Sequence, residues 1–189
     1  YELKDHTKAI IGSEETSLAT AIGYRNIVNL LNRDPGVPLE TIGRDILNAN
    51  KKFFAGKNAQ QSIKKYDTGE TLSYLDSAKL AELPARLDEW TNALLANKEY
   101  AAIKYAALNA FRFNLYGGND KQRAYSFYTD LYDLAKKAGE KAVSGQAKAA
   151  SERLKSYLAG ELVKSNVAMH NGYEACGGLS IMMPIRTPA

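Results

Sequence analysis

The strongest constraint on the fold of this chain is a short apolar segment, residues 177–184, which reads Gly-Gly-Leu-Ser-Ile-Met-Met-Pro. A glycine pair, a brief apolar run and a closing proline are typical of a buried β-strand. A single buried strand is not stable alone, because its backbone N–H and C=O groups need partners. We therefore expect a sheet whose other strands come from elsewhere in the sequence or from another part of the protein.

Composition places the chain among globular proteins. Its 189 residues, 45% of them hydrophobic, suffice for a sizeable core, and we expect residues 1–189 to form a single unit. The 25 basic and 21 acidic residues are interspersed, so the net charge of +4 does not imply a nucleic-acid partner. No apolar run approaches the roughly 18 residues of a membrane span. The single cysteine excludes an internal disulfide.

Two further segments have strand patterns. Residues 9–13, Ala-Ile-Ile-Gly-Ser, form a short β-branched apolar run, and residues 71–75, Thr-Leu-Ser-Tyr-Leu, alternate polar and apolar side chains. Together with a third strand at about 179–183, they predict one sheet that is built from distant parts of the chain and interleaved with helices. The predicted fold class is α/β.

Helical spacing of apolar residues dominates the rest of the chain. The clearest stripe runs from Leu80 through Trp90 to Leu94, and Pro84 within it is expected to kink or restart the helix. Further helices are predicted at residues 38–54, 100–116, 129–138 and 146–169. The helix-rich region therefore covers about residues 77–170.

Cys176 and His170 lie six residues apart across a predicted turn, in a chain that carries no HExxH, CxxC, phosphate-binding glycine loop or GxSxG motif. A thiol beside an imidazole can act as a nucleophile. The alternative is that Cys176 enters the buried strand as a small hydrophobic residue, which we favour because free cysteines are commonly buried. His6 stands alone and is expected at the surface.

Two acidic residues, Glu14 and Glu15, directly follow the predicted strand at 9–13. Open α/β sheets place ligand sites beyond the ends of their strands, so this pair is a candidate for recognising a cationic group. The alternative is a cap or an ion pair with the following segment, which composition alone favours.

Several short segments follow one another in an informative order. They are Tyr1-Glu2-Leu3, Ile11-Gly12-Ser13-Glu14-Glu15-Thr16, Gly23-Tyr24, Thr71–Asp76, Asp130–Ala135 and Gly178–Ile181. Each alone is a common strand or helix pattern. Their order and spacing together resemble the clostripain family of cysteine endopeptidases over nearly the whole chain.

The resemblance implies part of a caspase-like three-layer α/β sandwich with an added helical region. It also implies cleavage of polypeptides after Arg or Lys by a cysteine and a histidine. In the family both residues precede the segment that matches Tyr1-Glu2-Leu3, so no catalytic residue is expected in this chain. The sequence is similar to most of a processed heavy chain, whose implied partner is a light chain or the missing N-terminal part of the same protein.

Other family properties are implied as well. They are export to the cell envelope or beyond, and calcium as a candidate cofactor, although the sequence shows no loop with calcium-ligand spacing. A second interpretation, from another class, is a non-enzymatic helical module that binds peptides or proteins. A cysteine within about a helix length upstream of Tyr1, with a histidine further back, would favour the peptidase.

The resemblance gives the acidic pair a role. In related caspase-like folds, the strand after the nucleophile and the loop beyond it line the pocket for a basic substrate side chain. The implied substrate-binding residues are Ser13, Glu14, Glu15 and Tyr24. A carboxylate in such a pocket would bind Arg by paired hydrogen bonds and Lys as a point charge. Arg25 opposes basic specificity, because its positive charge would repel a basic side chain or occupy the pocket itself. It stands in a stretch that is often Gly-Trp-Pro-Tyr-like in the family.

Overall fold

Strand β2, Glu70–Asp76, is the centre of a three-stranded antiparallel sheet. The computed structural model describes residues 2–14, 24–57, 59, 61, 69–113, 127–170 and 172–184. On one side β2 pairs with strand β1, Ala9–Gly12, and on the other side with strand β4, Val163–Met169. The segments at both ends of the sequence thus meet on one central strand.

Both faces of this sheet are covered, which makes it the middle of three layers. Leu72 and Tyr74 of β2 pack with residues of helix α2, Leu39–Ala55, and helix α1, Tyr24–Arg33, adds to the same layer. Leu75 packs into the helical core on the opposite face. Alternate side chains of a strand point to opposite faces, so one strand serves both layers. The helix, sheet, helix order confirms the predicted α/β class with few strands.

The second helical layer is rich in alanine. Its helices are α3 Leu83–Ala96, α4 Tyr100–Asn109, α5 Leu131–Lys141 and α6 Gly145–Tyr157. A 3₁₀ helix, Ser77–Glu82, precedes α3, and a π-helical turn, Leu158–Leu162, follows α6. Ala106 of α4 and Ala138 of α5 are fully buried, and their small side chains permit dense packing between helices. None of the described helices combines the length and the hydropathy that crossing a membrane requires.

A second sheet joins strand β3, Tyr128–Asp130, to strand β5, Ser180–Met182, in antiparallel order. Strand β3 leads directly into α5, because the Asp130 side chain caps that helix by accepting a hydrogen bond from the Asp133 amide. Thr129 of β3 also forms a bridge to Arg112. The segment around β5 is thereby held beside the start of α5.

The strands predicted at 9–13, 71–75 and 179–183 are confirmed, but the last does not join the main sheet. It pairs with β3, and Met182 is 67% exposed, so the prediction of one shared sheet and of a fully buried strand is wrong. The physical reason lies just before β5. Gly178 adopts a φ of 96°, which redirects the chain away from β2 towards β3.

The helix predicted at 146–169 is wrong in its second half. It ends at Tyr157, a π-helical turn follows, and residues 163–169 form β4. Pairing with β4 satisfies the backbone N–H and C=O groups along one edge of β2. A continuing helix would leave those groups without hydrogen-bond partners. The helix predicted at 129–138 begins only at Leu131, because β3 takes the residues before it.

Two of the helix predictions are confirmed and one is too long. Helix α2 matches the segment predicted at 38–54, and Pro84 restarts the chain in the first turn of α3. The helix predicted at 100–116 ends at Asn109 because Arg112 bridges to β3, and residues 114–116 lie outside the described residues.

Glu99, between α3 and α4, supports the start of α6. Its carboxylate is 6% exposed and accepts hydrogen bonds from the amides of Val143 at 2.9 Å and Ser144 at 2.6 Å. Replacing Glu99 by Gln is expected to lower the free energy of unfolding by about 1 kcal/mol, because a neutral amide oxygen accepts the two N–H bonds at the start of α6 more weakly than a carboxylate does. Chemical denaturation measures this loss.

Glu152→Gln is the matched control, since Glu152 is an exposed carboxylate that accepts a hydrogen bond from Lys155 at 2.9 Å. An exposed ion pair contributes little, so a change below about 0.5 kcal/mol is expected. Equal losses in the two variants would contradict the role assigned to Glu99.

Candidate functional site

A cavity of about 240 Å³ opens at the end of strand β1. It is lined by Ile11, Gly12, Ser13, Tyr24, Ile27, Ile46 and Leu72. The cavity thus lies where α1 and α2 meet the end of the main sheet. Its volume is below the range of drug-sized ligand pockets and suits a single amino-acid side chain.

Ser13 and Tyr24, two of the residues implied to bind substrate, both line this cavity. Ser13 Oγ lies 3.1 Å from Thr71 Oγ1, a hydrogen bond that holds Ser13 against β2. Tyr24 is the first residue of α1 and is 62% exposed, so its ring is largely open to solvent. The remaining wall is apolar, and no charged side chain of the described residues lines it. Such a wall suits an aliphatic or aromatic side chain.

The Glu14 side chain does not line the cavity. Its backbone amide donates to Thr71 Oγ1 at 2.9 Å, and its Oε2 accepts a hydrogen bond from the Gly178 amide at 3.2 Å. The other implied carboxylate, Glu15, lies outside the described residues. The structure therefore brings Ser13 and Tyr24 together and places Glu14 in a different environment.

Glu14 lies beside a second carboxyl group, that of Asp130. Asp130 is fully buried and accepts hydrogen bonds from the amides of Asp133 at 2.6 Å and Gly177 at 2.7 Å. Burial, together with the neighbouring Asp130 carboxyl, raises the pKa of Glu14 to about 10. Burial also raises the pKa of Asp130 above its usual range. Both carboxyl groups are therefore harder to ionise than exposed ones, which disfavours Glu14 as a charged group for binding a ligand.

Cys176 is a buried core residue, as the sequence predicts. It is 5% exposed and packs with Phe113 and Tyr173. Burial and the carboxyl groups around it, Asp130 foremost, raise the pKa of its thiol far above the usual range. The neighbours that set this pKa include no imidazole, so the pairing of Cys176 with His170 as a nucleophile is not supported.

The one side-chain cluster of the described residues that brings three potential metal ligands together does not suit calcium. Glu14, Asp130 and Cys176 each bring one potential ligand atom within 4.8 Å of the others. Calcium prefers six to eight oxygen ligands, whereas this set offers one protonated thiol and two carboxyl groups whose pKa values are raised. The donor set therefore does not fit the cofactor implied by the family resemblance.

Sequence reasoning did not find Asp130 as the neighbour of Glu14. The residue carries a local signal, since an aspartate directly after the β-branched Thr129 and three residues before Asp133 is typical of a helix N-cap. Its contact with Glu14 joins distant parts of the chain, for which the sequence gives no pattern. The apolar cavity wall of Ile27, Ile46 and Leu72 was not predicted as part of a site.

Comparison with known proteins adds one positive finding. The family model described as the clostripain family matches residues 1–186, which is nearly the whole chain. No curated protein and no solved structure matches the chain.

Proposed function

This chain belongs to the clostripain family, and we propose that it supplies the scaffold and a pocket wall of a cysteine endopeptidase that cleaves polypeptides after Arg or Lys. The family match over residues 1–186 is the observation that carries this proposal. It supports a peptidase of the cysteine type, and the local chemistry of the chain is consistent with a catalytic cysteine and histidine that lie upstream of it.

Cys176 is not suited to be the nucleophile. A cysteine protease needs a thiolate that can reach the scissile carbonyl, whereas Cys176 is buried among carboxyl groups that hold its thiol protonated. In our proposal an upstream thiolate attacks the carbonyl carbon, an upstream histidine transfers the proton to the leaving amine, and backbone amides stabilise the oxyanion.

The cavity at the end of β1 is the proposed pocket for the side chain that precedes the scissile bond. Its apolar wall, which includes Ile27 and Leu72, would contact the aliphatic part of Arg or Lys, and Tyr24 would cover the same stem. Ser13 Oγ would accept a hydrogen bond from the Arg or Lys side chain there. Because Glu14 is turned towards Gly178, we assign the charge that selects a basic side chain to Glu15.

The partner in this proposal is a light chain or the N-terminal part of the same protein. Among the described residues, strand β1 pairs on one side only, with β2. A strand with an unpaired edge is completed by adding another strand. The exposed apolar side chains of Val28 and Leu31 on α1 offer a further surface for the same partner.

Labelling of the parent protein tests the proposal. We expect a peptide electrophile with Arg or Lys at the position before the scissile bond to modify one cysteine outside residues 1–189. The matched probe carries norleucine, which has the lysine stem without the charge, and should label at least about tenfold more slowly. Labelling is measured by intact mass and by mapping the modified peptide.

The Cys176→Ser variant shows whether the label reacts with the proposed upstream nucleophile or with the buried thiol of Cys176. The variant should be labelled as fast as the unaltered protein, because Cys176 does not react in this scheme. Loss of the label in this variant, or no label at all in the parent protein, would contradict the peptidase proposal. Tight peptide binding without any label would instead favour the non-enzymatic peptide-binding module.

A further inference from the structure

Two carboxyl groups hold the consecutive backbone amides of Gly177 and Gly178. Asp130 Oδ2 accepts from the Gly177 amide at 2.7 Å, and Glu14 Oε2 accepts from the Gly178 amide at 3.2 Å. Glu14 follows β1 of the main sheet, whereas Asp130 belongs to β3 of the second sheet. The two contacts therefore tie both sheets to a single turn.

Side chains of neighbouring elements pack closely against both glycines of the Gly177-Gly178 turn. Gly178 has a φ of 96°, and a Cβ atom there would lie 2.5 Å from Ser73 Oγ. A Cβ atom at Gly177 would overlap the Cβ of Tyr132. Since only glycine fits at both positions, the two amides keep fixed positions towards the carboxyl groups.

The hydrogen bonds identify which carboxyl group carries a proton. Carboxyl oxygens of Glu14 and Asp130 lie within 4.8 Å of each other. Both Asp130 oxygens accept backbone N–H bonds, as an ionised carboxylate does. Glu14 Oε1 is buried, and no donor of the described residues bonds to it. An oxygen without a donor beside a carboxylate is suited to hold the proton and donate it.

The surrounding groups do not neutralise a second negative charge. Helix α5 contributes Asp133, the segment before β5 contributes Cys176 and Glu174, and β2 contributes the uncharged Thr71 and Ser73. Among the described residues, no Lys, Arg or His lowers the pKa of Glu14 or Asp130. Two neighbouring buried carboxyl groups without a cation cannot both be ionised without a large penalty.

We propose that Glu14 and Asp130 share one proton, and that this proton locks the end of strand β1 to the Gly177-Gly178 turn. Loss of the proton places two negative charges side by side and releases Glu14 from the turn. Ser13, the residue before Glu14, lines the cavity at the end of β1, so release also changes that wall. The proposal does not depend on peptidase activity, because it concerns groups outside the cavity lining.

The raised pKa of Glu14 sets the direction in which the stability of the folded protein changes with pH. The pKa of Glu14 is raised from an ordinary value of 4.5 to about 10 in the folded protein. Its stabilising contribution is therefore complete below pH 4.5 and is lost as the pH rises through about 10. Within that window each pH unit lowers the ratio of folded to unfolded protein by up to about tenfold.

A carboxyl titration of the full-length protein tests the lock. With ¹³C-labelled glutamate side chains, one carboxyl signal should stay protonated from about pH 3 to about pH 9, while exposed glutamates titrate. That signal should be missing in Glu14→Gln. The glutamine oxygen can accept from Gly178 and its NH₂ group can donate to Asp130, so this variant keeps the lock permanently closed.

The pH dependence of unfolding provides the second measurement. Glu14→Gln should lose less stability than the unaltered protein between about pH 5 and about pH 9, whereas the exposed control Glu2→Gln should behave like the unaltered protein. A wild-type titration in which every glutamate ionises near pH 4.5 overturns the proposal without any variant. A protonated aspartate in place of the glutamate overturns it too, as does an unchanged pH dependence in Glu14→Gln.

Discussion

Replacing Ile27 by Trp is expected to lower kcat/KM of the parent protein for peptide substrates by at least about tenfold. Ile27 lies on α1, is half-buried and lines the cavity of about 240 Å³ at the end of β1. The larger ring would extend into the open volume that we assign to the substrate side chain. The fold should tolerate it, because the added atoms enter an existing cavity and do not displace packed neighbours.

Asn29→Trp is the control on the same helix. Asn29 is exposed, does not line the cavity and is not part of the apolar surface of Val28 and Leu31, so a tryptophan there should leave kcat/KM within about twofold of the unaltered protein. Circular dichroism and thermal melting establish that both variants are folded. Equal activity in Ile27→Trp and the unaltered protein would mean that the cavity does not receive the substrate side chain.

Local patterns predicted the parts of the fold that depend on neighbouring residues. The stripe through Leu80, Trp90 and Leu94 is buried in the helical core, as its spacing indicates. The β-branched run at 9–13 forms β1, and Asp76 caps the following 3₁₀ helix by accepting a hydrogen bond from the Ala78 amide. Each of these features is decided within a few residues.

Strand β4 shows where local pattern fails. Residues 163–169 follow a long helical stripe, and their sequence, Val-Lys-Ser-Asn-Val-Ala-Met, does not contradict a helix strongly. What decides their structure is β2, which is buried on both faces and needs a partner along its second edge. A tertiary requirement of this kind overrides weak local preference.

Local sequence likewise predicted some features of the candidate site and missed others. Ser13 and Tyr24 meet at one cavity, although residues 15–23 lie outside the described residues. The fate of Glu14 was not predictable, because its neighbour Asp130 is a helix cap on a distant strand. Burial against that neighbour raises the pKa of Glu14, so its side chain is less suited to the charged role that the resemblance implies.

Replacing Gly177 by Ala is expected to lower the free energy of unfolding by about 3 kcal/mol. A Cβ atom at this position would overlap the Cβ of Tyr132 and lie 2.7 Å from its Cγ. The Tyr132 Cβ is attached directly to the backbone of α5, so it cannot move aside by a change of rotamer. Any shift of Gly177 also strains the hydrogen bond from its amide to Asp130, the residue that caps α5.

Gly145→Ala is the opposite case and serves as the control for Gly177→Ala. Gly145 is the first residue of α6, and a Cβ atom there would meet nothing within 4 Å. Alanine restricts the unfolded chain and favours the helix, so this variant should gain up to about 1 kcal/mol. Denaturant unfolding of the two variants should therefore give changes of opposite sign. A Gly177→Ala protein as stable as the unaltered one would show that α5 and the turn before β5 are not in direct contact.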